Sequence, residues 1–405
     1  MKPPYFNVKA SEITLIIADT WNHEQIGPMA EPIISDLAHR TWISFLIKIS
    51  QPITMEKVIR KQPVTLVDMN VWFGMDARGY LKFGDYESGA RRLSRFAILA
   101  AGLKKLQPDA IAIQEANMLP GYARKLADEL GYEAVWRTTN SGIKLLGRGI
   151  PTNFTAGNVI LAPKRNAIKF LGVERLSGRG LQFKNFSFHF TELRDVIAAM
   201  ITIGNQPIII FNTQAHFSIV WHPQWKKQLN QLVESYRLAP GQQQKLIKNI
   251  QKSRDRRRNE ILRLVAFVKK ITNVNDYPYV IMGDFNTTAE SVAMIHMIEE
   301  LNLQDAYRIK NPLKNGYTWD PGRNTNIGFD ASPFWADGIT PKDPLNRLEA
   351  QFDAQMARRI DFIFLSYQFE PNMIKETDLL FADPTDGLFA SDHFGLRVVL
   401  DRLPR

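Results

Sequence analysis

The 405-residue sequence contains no cysteine. That excludes disulfides, thiol catalysis and zinc–thiolate sites. It does not fix the compartment. No apolar run approaches the roughly 18 residues that a membrane-spanning helix needs. The first residues, MKPPYFNVKASE, form no uninterrupted apolar stretch and offer no small-residue cleavage site. A secretory signal is therefore not expected, and the cytoplasm is the default location. Internal repeats, low-complexity tracts and a Walker-type loop are also missing. What is present is a globular balance, 45% apolar and 23% charged, with 24 Phe, 8 Trp and 11 Tyr to fill a large core.

The net charge is +10. Most of it sits in one place. Residues 241–270 carry ten Lys or Arg against Asp255 and Glu260, a net +8, so the remainder is close to neutral. A localised basic helix suits an anionic partner such as nucleic acid, anionic lipid or a phosphorylated substrate. It is equally a plain solvated helix face.

Residues 1–60 hold a strand-like run (Ile13 to Ala18) and a helical stretch (Ile33 to Ser50) but no motif, and read as an extension packed on a main domain over 61–405. From Pro63 the pattern becomes regular. Val64 to Val71 has strand length. Arg91 to Leu106 places Leu93, Phe96, Ala97, Ala100, Leu103 and Leu106 at helical spacing. Ala110 to Ile113 is a short buried strand, and Tyr122 to Leu130 is helical up to Gly131. Strands follow at Gly157 to Ala162, Phe183 to Phe190, Val196 to Ile203 and Gln206 to Asn212, with Gly204-Asn205 as a hairpin turn. A helical stretch runs to Lys270 with a break near Pro240. Tyr277 to Met282, Arg359 to Ser366 and Leu396 to Leu400 complete the strands. Strands and helices mix without strict alternation, which favours an α/β layered sandwich with mixed sheets.

Polar residues cluster where apolar strands end, which is how a rigid scaffold presents chemistry. They are Asn70, Glu115 in AIAIQEA, Asn212, Asp284 and Asn286 in VIMGDFN, Asp361 in RRIDFIFL, and Asp392 and His393 in SDHFGLRV. Singly, each has a plainer structural reading. A Glu after a strand is a common surface residue, and Asp-Phe-Asn is a common capped turn. Asp361 in an apolar strand needs a partner, and His393 is the best candidate.

Together, in the order N…E…GDFN…RRID…SDH, these strings resemble the endonuclease/exonuclease/phosphatase superfamily. That superfamily includes DNase I-like nucleases, apurinic endonucleases, inositol polyphosphate phosphatases and neutral sphingomyelinases. The resemblance runs from about Pro63 to Leu400 and extends to GNVILAPK. It implies a four-layer α/β sandwich, two mixed β-sheets face to face with helices outside. It implies a phosphoester hydrolase using Mg²⁺, with Mn²⁺ as an alternative, held by Glu115 with help from the amide oxygen of Asn70 and with Asp392 nearby. His393 matches the catalytic histidine and Asp361 its partner. Asp284 matches the residue that orients or deprotonates water, and Asn286 and Asn212 match residues on the phosphate side. One position departs from the pattern. Where many members read Asn-Thr-His, this chain has Asn212-Thr213-Gln214, with His216 two residues on. A neutral amide cannot transfer a proton, and His216 is the candidate substitute because residues two apart on a strand share a face.

Asn70-Val71-Trp72, SDHFG and YTWDP look most like the neutral sphingomyelinase branch, which implies a phospholipid head group as substrate. A nuclease of the same superfamily is the alternative, with residues 241–270 as a phosphate track. A catalytically dead binding module is a third reading, supported by Gln214 alone. The aromatic strings with Phe217, Trp221 and Trp225, and with Phe334 and Trp335, suit either a lipid surface beside a basic helix or stacking on nucleic acid.

Overall fold

The apolar strings that end in polar residues form the central strands of the protein. The computed structural model describes residues 63–76, 84–85, 87–145, 148–217, 227, 230–231, 234, 240–327 and 356–404. The N-terminal extension, and Trp221, Trp225, Phe334 and Trp335, lie outside the described residues. In chain order the first elements are β1 (Val64–Asn70), β2 (Met75–Asp76), β3 (Gly84–Asp85), α1 (Gly89–Leu106), β4 (Ala110–Ala116) and α2 (Gly121–Leu130). Then come β5 (Tyr132–Leu145), β6 (Arg148–Pro163), β7 (Ala167–Ser177), β8 (Gly180–Gln182), β9 (Ser187–His189), β10 (Arg194–Ile203) and β11 (Gln206–Gln214). The rest are α3 (Pro240–Thr272), β12 (Tyr279–Asp284), α4 (Val292–Glu300), β13 (Gln304–Asp305), α5 (Ala306–Lys310), β14 (Asp361–Leu365), β15 (Ile374–Leu380) and β16 (Gly395–Leu400).

Two six-stranded sheets result, β15-β16-β1-β4-β6-β5 and β13-β14-β12-β11-β10-β7. Both are mixed: β1 runs parallel to β4 and β11 parallel to β12, while the other ladders are antiparallel. Alternating strand residues explain the layers. Leu66, Ala112, Ile197, Ile210, Met282 and Ile363 meet between the sheets. The opposite faces of β1 and β4 (Val67, Ile111) pack on Leu99 and Leu103 of α1 and Leu126 of α2. The opposite faces of β11, β12 and β14 (Phe211, Ile281, Phe362) pack on Leu264 and Val268 of α3 and Met294 of α4. Each buried side chain of this kind contributes roughly 1.5–3 kcal/mol. The order helices, sheet, sheet, helices is the four-layer sandwich.

The Gly204-Asn205 turn forms as expected, with φ of 56° and 73°, the doubly positive φ of a type I′ hairpin turn. Phe183 to Phe190 is not one strand. Phe183 N–H donates to Phe186 O, a tight turn that splits it into the β8–β9 hairpin. Strands β5, β7 and β15 escape the sequence reading because they lie at sheet edges. There polar residues replace apolar ones on one or both faces, as in KETD of β15. Among the described residues no helix is long and apolar enough to cross a membrane.

Candidate active site

The inward faces of the strands change from apolar to polar towards one end of the sandwich. Along β1 the series is Leu66, Asp68, Asn70. Along β4 it is Ala112 then Gln114, and along β11 it is Ile210, Asn212, Gln214. On β12 Met282 is followed by Asp284, and on β14 Asp361 precedes Ile363. The period of two puts all of them on the inter-sheet side. Parallel pairing aligns the C-terminal ends of β1 and β4 and of β11 and β12, and the antiparallel neighbours bring the starts of β10, β14 and β16 to the same edge.

The first polar layer is sealed. Gln114 Nε2 donates to Asp68 Oδ1 and to Asn212 Oδ1, both at 2.8 Å. Asn212 Nδ2 donates across the sheets to Ile113 O and Val159 O. Asn212 therefore bridges the two sheets beneath the site and has no amide proton left for a phosphate, contrary to the role expected for it.

The second layer is the open one. Glu115 has φ of +60°, at a register shift between β4 and β6. A bulge of this kind re-aims a side chain. Asn70 Nδ2 donates to Glu115 Oε1 (3.3 Å) and Asp284 Oδ2 (3.1 Å). Its oxygen accepts from Trp72 N–H at 3.0 Å. The amide oxygen expected to face a metal thus accepts one backbone hydrogen bond, and the Asn70 NH₂ group ties two carboxylates together. Gln214 Nε2 does the same, donating to Glu115 Oε1 (2.6 Å) and Asp284 Oδ2 (3.3 Å). Asn286 N–H and Nδ2 both donate to Asp284, and Nδ2 also donates to Ala215 O. Asn286 therefore holds Asp284 and has no free donor for a phosphate. The close approach behind Asp284 requires Gly283, since a Cβ there would lie 2.0 Å from Thr213 O.

His393 Nδ1 lies 2.8 Å from Asp361 Oδ2, both groups buried. The Trp319 ring meets the imidazole edge-on at 5.1 Å. His393 Nε2 is left without a hydrogen bond among the described residues. Burial opposes the imidazolium, yet Asp361, Asp392 and Asp284 outweigh it and raise His393 well above its ordinary value. Burial and neighbouring Asp361 push Asp284 up to about 6, with His393 working the other way. Burial pushes Asp392 up to about 7 and is opposed by His393. Burial, then Asp361, raise Asp68 well above the usual carboxylate range. Asp68 Oδ2 and Asp361 Oδ1 are buried without partners.

This is a pocket of buried carboxylates short of positive charge. Asp284, Asp361 and His393 bring ligand atoms within 4.8 Å of one another. The donor set, mostly carboxylate oxygen with one imidazole, fits a hard divalent cation. Glu115 and Asp392 are further carboxylates close enough for the charge of one to act on the other.

His216 is not part of this cluster. β11 ends at Gln214, so the strand alternation that would carry His216 inward stops. Ala215 N–H donates to Asp284 O, and His216 N–H to Glu260 Oε2 at 2.6 Å. The imidazole Nδ1 lies 3.4 Å from Glu192. Two residues that sequence reasoning missed matter more. Arg194 Nη1 donates to the Gln214 oxygen and Nη2 to Glu192. Arg95 donates to Val71 O, Trp72 O and Ala390 O while paired with Glu87, which clamps the loop after β1 to the loop that carries Asp392 and His393. Arg95 is the polar residue on the buried side of α1, three residues from Arg92 and four from Leu99; that placement was the only available signal.

The structure is similar to several solved ones. D. rerio TDP2 with a single-strand DNA product shares 15% identity over 84% of this chain and 98% of that one, with a TM-score of 0.48. A mannosyl-6-phosphatase of Bacteroides thetaiotaomicron shares 14% over 83% and 99%, with a TM-score of 0.49. The human Nocturnin catalytic domain with bound sulfate shares 15% over 83% and 93%, with a TM-score of 0.46. No curated protein matches the sequence. The family model for Endonuclease/Exonuclease/phosphatase matches residues 69–393, from the end of β1 to the histidine before β16. Asn70, Glu115, Gln214, Asp284, Asp361 and His393 all fall inside that span, and the chain belongs to the endonuclease/exonuclease/phosphatase family of phosphoester hydrolases.

Proposed function

We propose that the chain hydrolyses a phosphodiester by one in-line attack of water, with no covalent intermediate. The observation that carries this is the buried Asp361–His393 pair beside Asp284, in the pocket that also holds Glu115. Asp361 holds the imidazole by Nδ1 and leaves Nε2 free for a proton or a phosphoryl oxygen. Asp284, held by Asn286, Asn70 and Gln214, orients the attacking water. Gln214 Nε2, donating to Glu115 and Asp284, helps hold the two carboxylates in place as Asn70 does. Mg²⁺ held by Glu115 and Asp392 would neutralise charge on the phosphoryl oxygens.

The motif style of Asn70-Val71-Trp72 and SDHFG supports a sphingomyelinase-like phospholipid as substrate. A nuclease is the second reading, favoured by α3. Of its ten cations, Arg256 and Arg257 turn inward, Arg256 onto Ser177 and Glu260 and Arg257 onto Asn286 O. The other eight are exposed, Lys269 paired with Glu300, and can meet an anionic surface. The test is a hydrolysis panel with and without Mg²⁺, setting sphingomyelin and lysophospholipids beside DNA, RNA and inositol phosphates. Turnover of nucleic acid alone would remove the lipid reading, and no turnover of any phosphodiester would remove both.

A further inference from the structure

A cavity of about 450 Å³ opens on Glu115, between the loop after β1 and the first turns of α1 and α2. One part of its wall is apolar, with Trp72, Phe73, Leu93, Phe96, Met118 and Tyr122, and the rest carries Arg92, Arg95, Lys125, Asn117 and Asn153. Phe96 and Tyr122 meet edge to face at 5.3 Å. Leu93 is 60% exposed and Met118 50% exposed, so two large apolar side chains face solvent beside a site that otherwise carries carboxylates and amides. Lys125 Nζ sits 4.4 Å from the Phe96 ring centroid, and Glu115 is the only acid of the lining among the described residues.

We propose that the organic group esterified to the substrate phosphorus is apolar, alkyl or aryl, and that it lies in this cavity. The inference rests on the reading of Glu115 as marking the reacting phosphate. A hydroxyl-rich group is disfavoured there. The Asn117 amide is engaged with Met75 Sδ (3.1 Å) and Thr155 N–H (2.9 Å), and sugar hydroxyls laid against Phe73, Leu93, Phe96 and Met118 would lose water without gaining partners there. An alkyl chain or a ring forfeits no hydrogen bond and removes apolar surface from water on both sides. Arg92 and Lys125 supply positive charge to an anionic ligand.

The test is calorimetric binding of methyl-, hexyl- and phenylphosphonate to the full chain, with and without Mg²⁺. Hexyl- or phenylphosphonate should bind at least about tenfold tighter than methylphosphonate. Preference for hexyl indicates a lipid-type chain, and preference for phenyl indicates an aryl group or base. Leu93→Gln combined with Met118→Gln should reduce that preference at least about threefold and leave methylphosphonate unchanged. Both residues are exposed, so the fold survives the change. Equal affinity for all three ligands, absence of binding by all three, or an undiminished preference in the double variant would overturn the proposal. Binding is read without turnover. A clear preference in a protein that hydrolyses nothing would therefore leave the cavity assignment standing and remove the hydrolytic reading.

Discussion

Arg194 donates to the side-chain oxygen of Gln214 and so turns the Gln214 NH₂ group towards Glu115 and Asp284. This accounts for the one departure from the family pattern. A neutral amide stands where many members have a histidine, and a buried guanidinium stands directly behind it.

Replacing Arg194 should therefore act through Gln214. In Arg194→Met the amide oxygen loses its partner and the NH₂ group that holds Glu115 and Asp284 is less firmly fixed, so turnover should fall about tenfold or more, in the manner of lost preorganisation. Gln214→Leu should cost at least as much. Gln214→His should not raise turnover while Arg194 is present, because a cationic imidazole beside Arg194 is disfavoured. Gain of activity by Gln214→His alone would show that Arg194 does not tune this position.

The excess of buried carboxylate predicts a metal requirement. Mg²⁺ binds only the folded state and should raise the melting temperature, and chelation should abolish both that rise and turnover. Glu115→Gln should keep the fold and weaken Mg²⁺ affinity by at least about tenfold, the scale seen when even outer groups around a metal are lost. Full activity in excess chelator would refute the metal role.

The strand ends were legible because each sits at the end of an apolar run, and a period of two fixes the face. The family order joins Glu115, Asp284, Asp361 and His393 from the sequence alone. What alternation cannot supply is the direction of an amide or the end of a strand. Asn70, Asn212 and Asn286 are near the expected places, yet their donors go to Asp284, Glu115 and backbone carbonyls. His216 fails because β11 stops at Gln214. Arg95 and Arg194 were illegible because burial of an arginine depends on partners far away in sequence. Of the three consecutive arginines of α3, only Arg258 is exposed, since helical rotation turns Arg257 into the core side.

Asp195 offers a test that needs no substrate. It is fully buried in β10, accepting from Asn158 at 2.8 Å and from Gln182. Burial pushes it up to about 7, with Gln182, Asn158, Arg137 and Arg194 pulling the other way. Unfolded, the carboxyl loses its proton near 3.8. Between these values the native state binds more protons, so stability falls as pH rises through that window and is level above it. At about 1.4 kcal/mol per pKa unit, the fall is about 4 kcal/mol in total. Asp195→Asn lacks this term. Urea unfolding at several pH values from 4 to 8 should show the variant gaining relative to the parent as pH rises. Parallel curves would mean that Asp195 ionises in the folded state as it does in the unfolded chain.

The last prediction concerns Asp361 and His393, 2.8 Å apart and both buried. If the carboxylate holds the ring for proton transfer or phosphate contact, His393→Ala should lower turnover by about 10² to 10⁴. Asp361→Asn should also lower turnover, by letting the ring turn. Residues that act as one unit give losses far from additive, so the double variant should be scarcely worse than the poorer single one. Metal binding separates this from a second arrangement, in which Asp284, Asp361 and His393 are themselves the ligands. With Glu115 and Asp392 holding the ion, His393→Ala should keep the Mg²⁺-dependent rise in melting temperature. If that rise vanishes together with activity, the histidine serves the metal. If the rise persists and the two losses simply add, Asp361 supports its strand and the proposed pairing in catalysis is wrong.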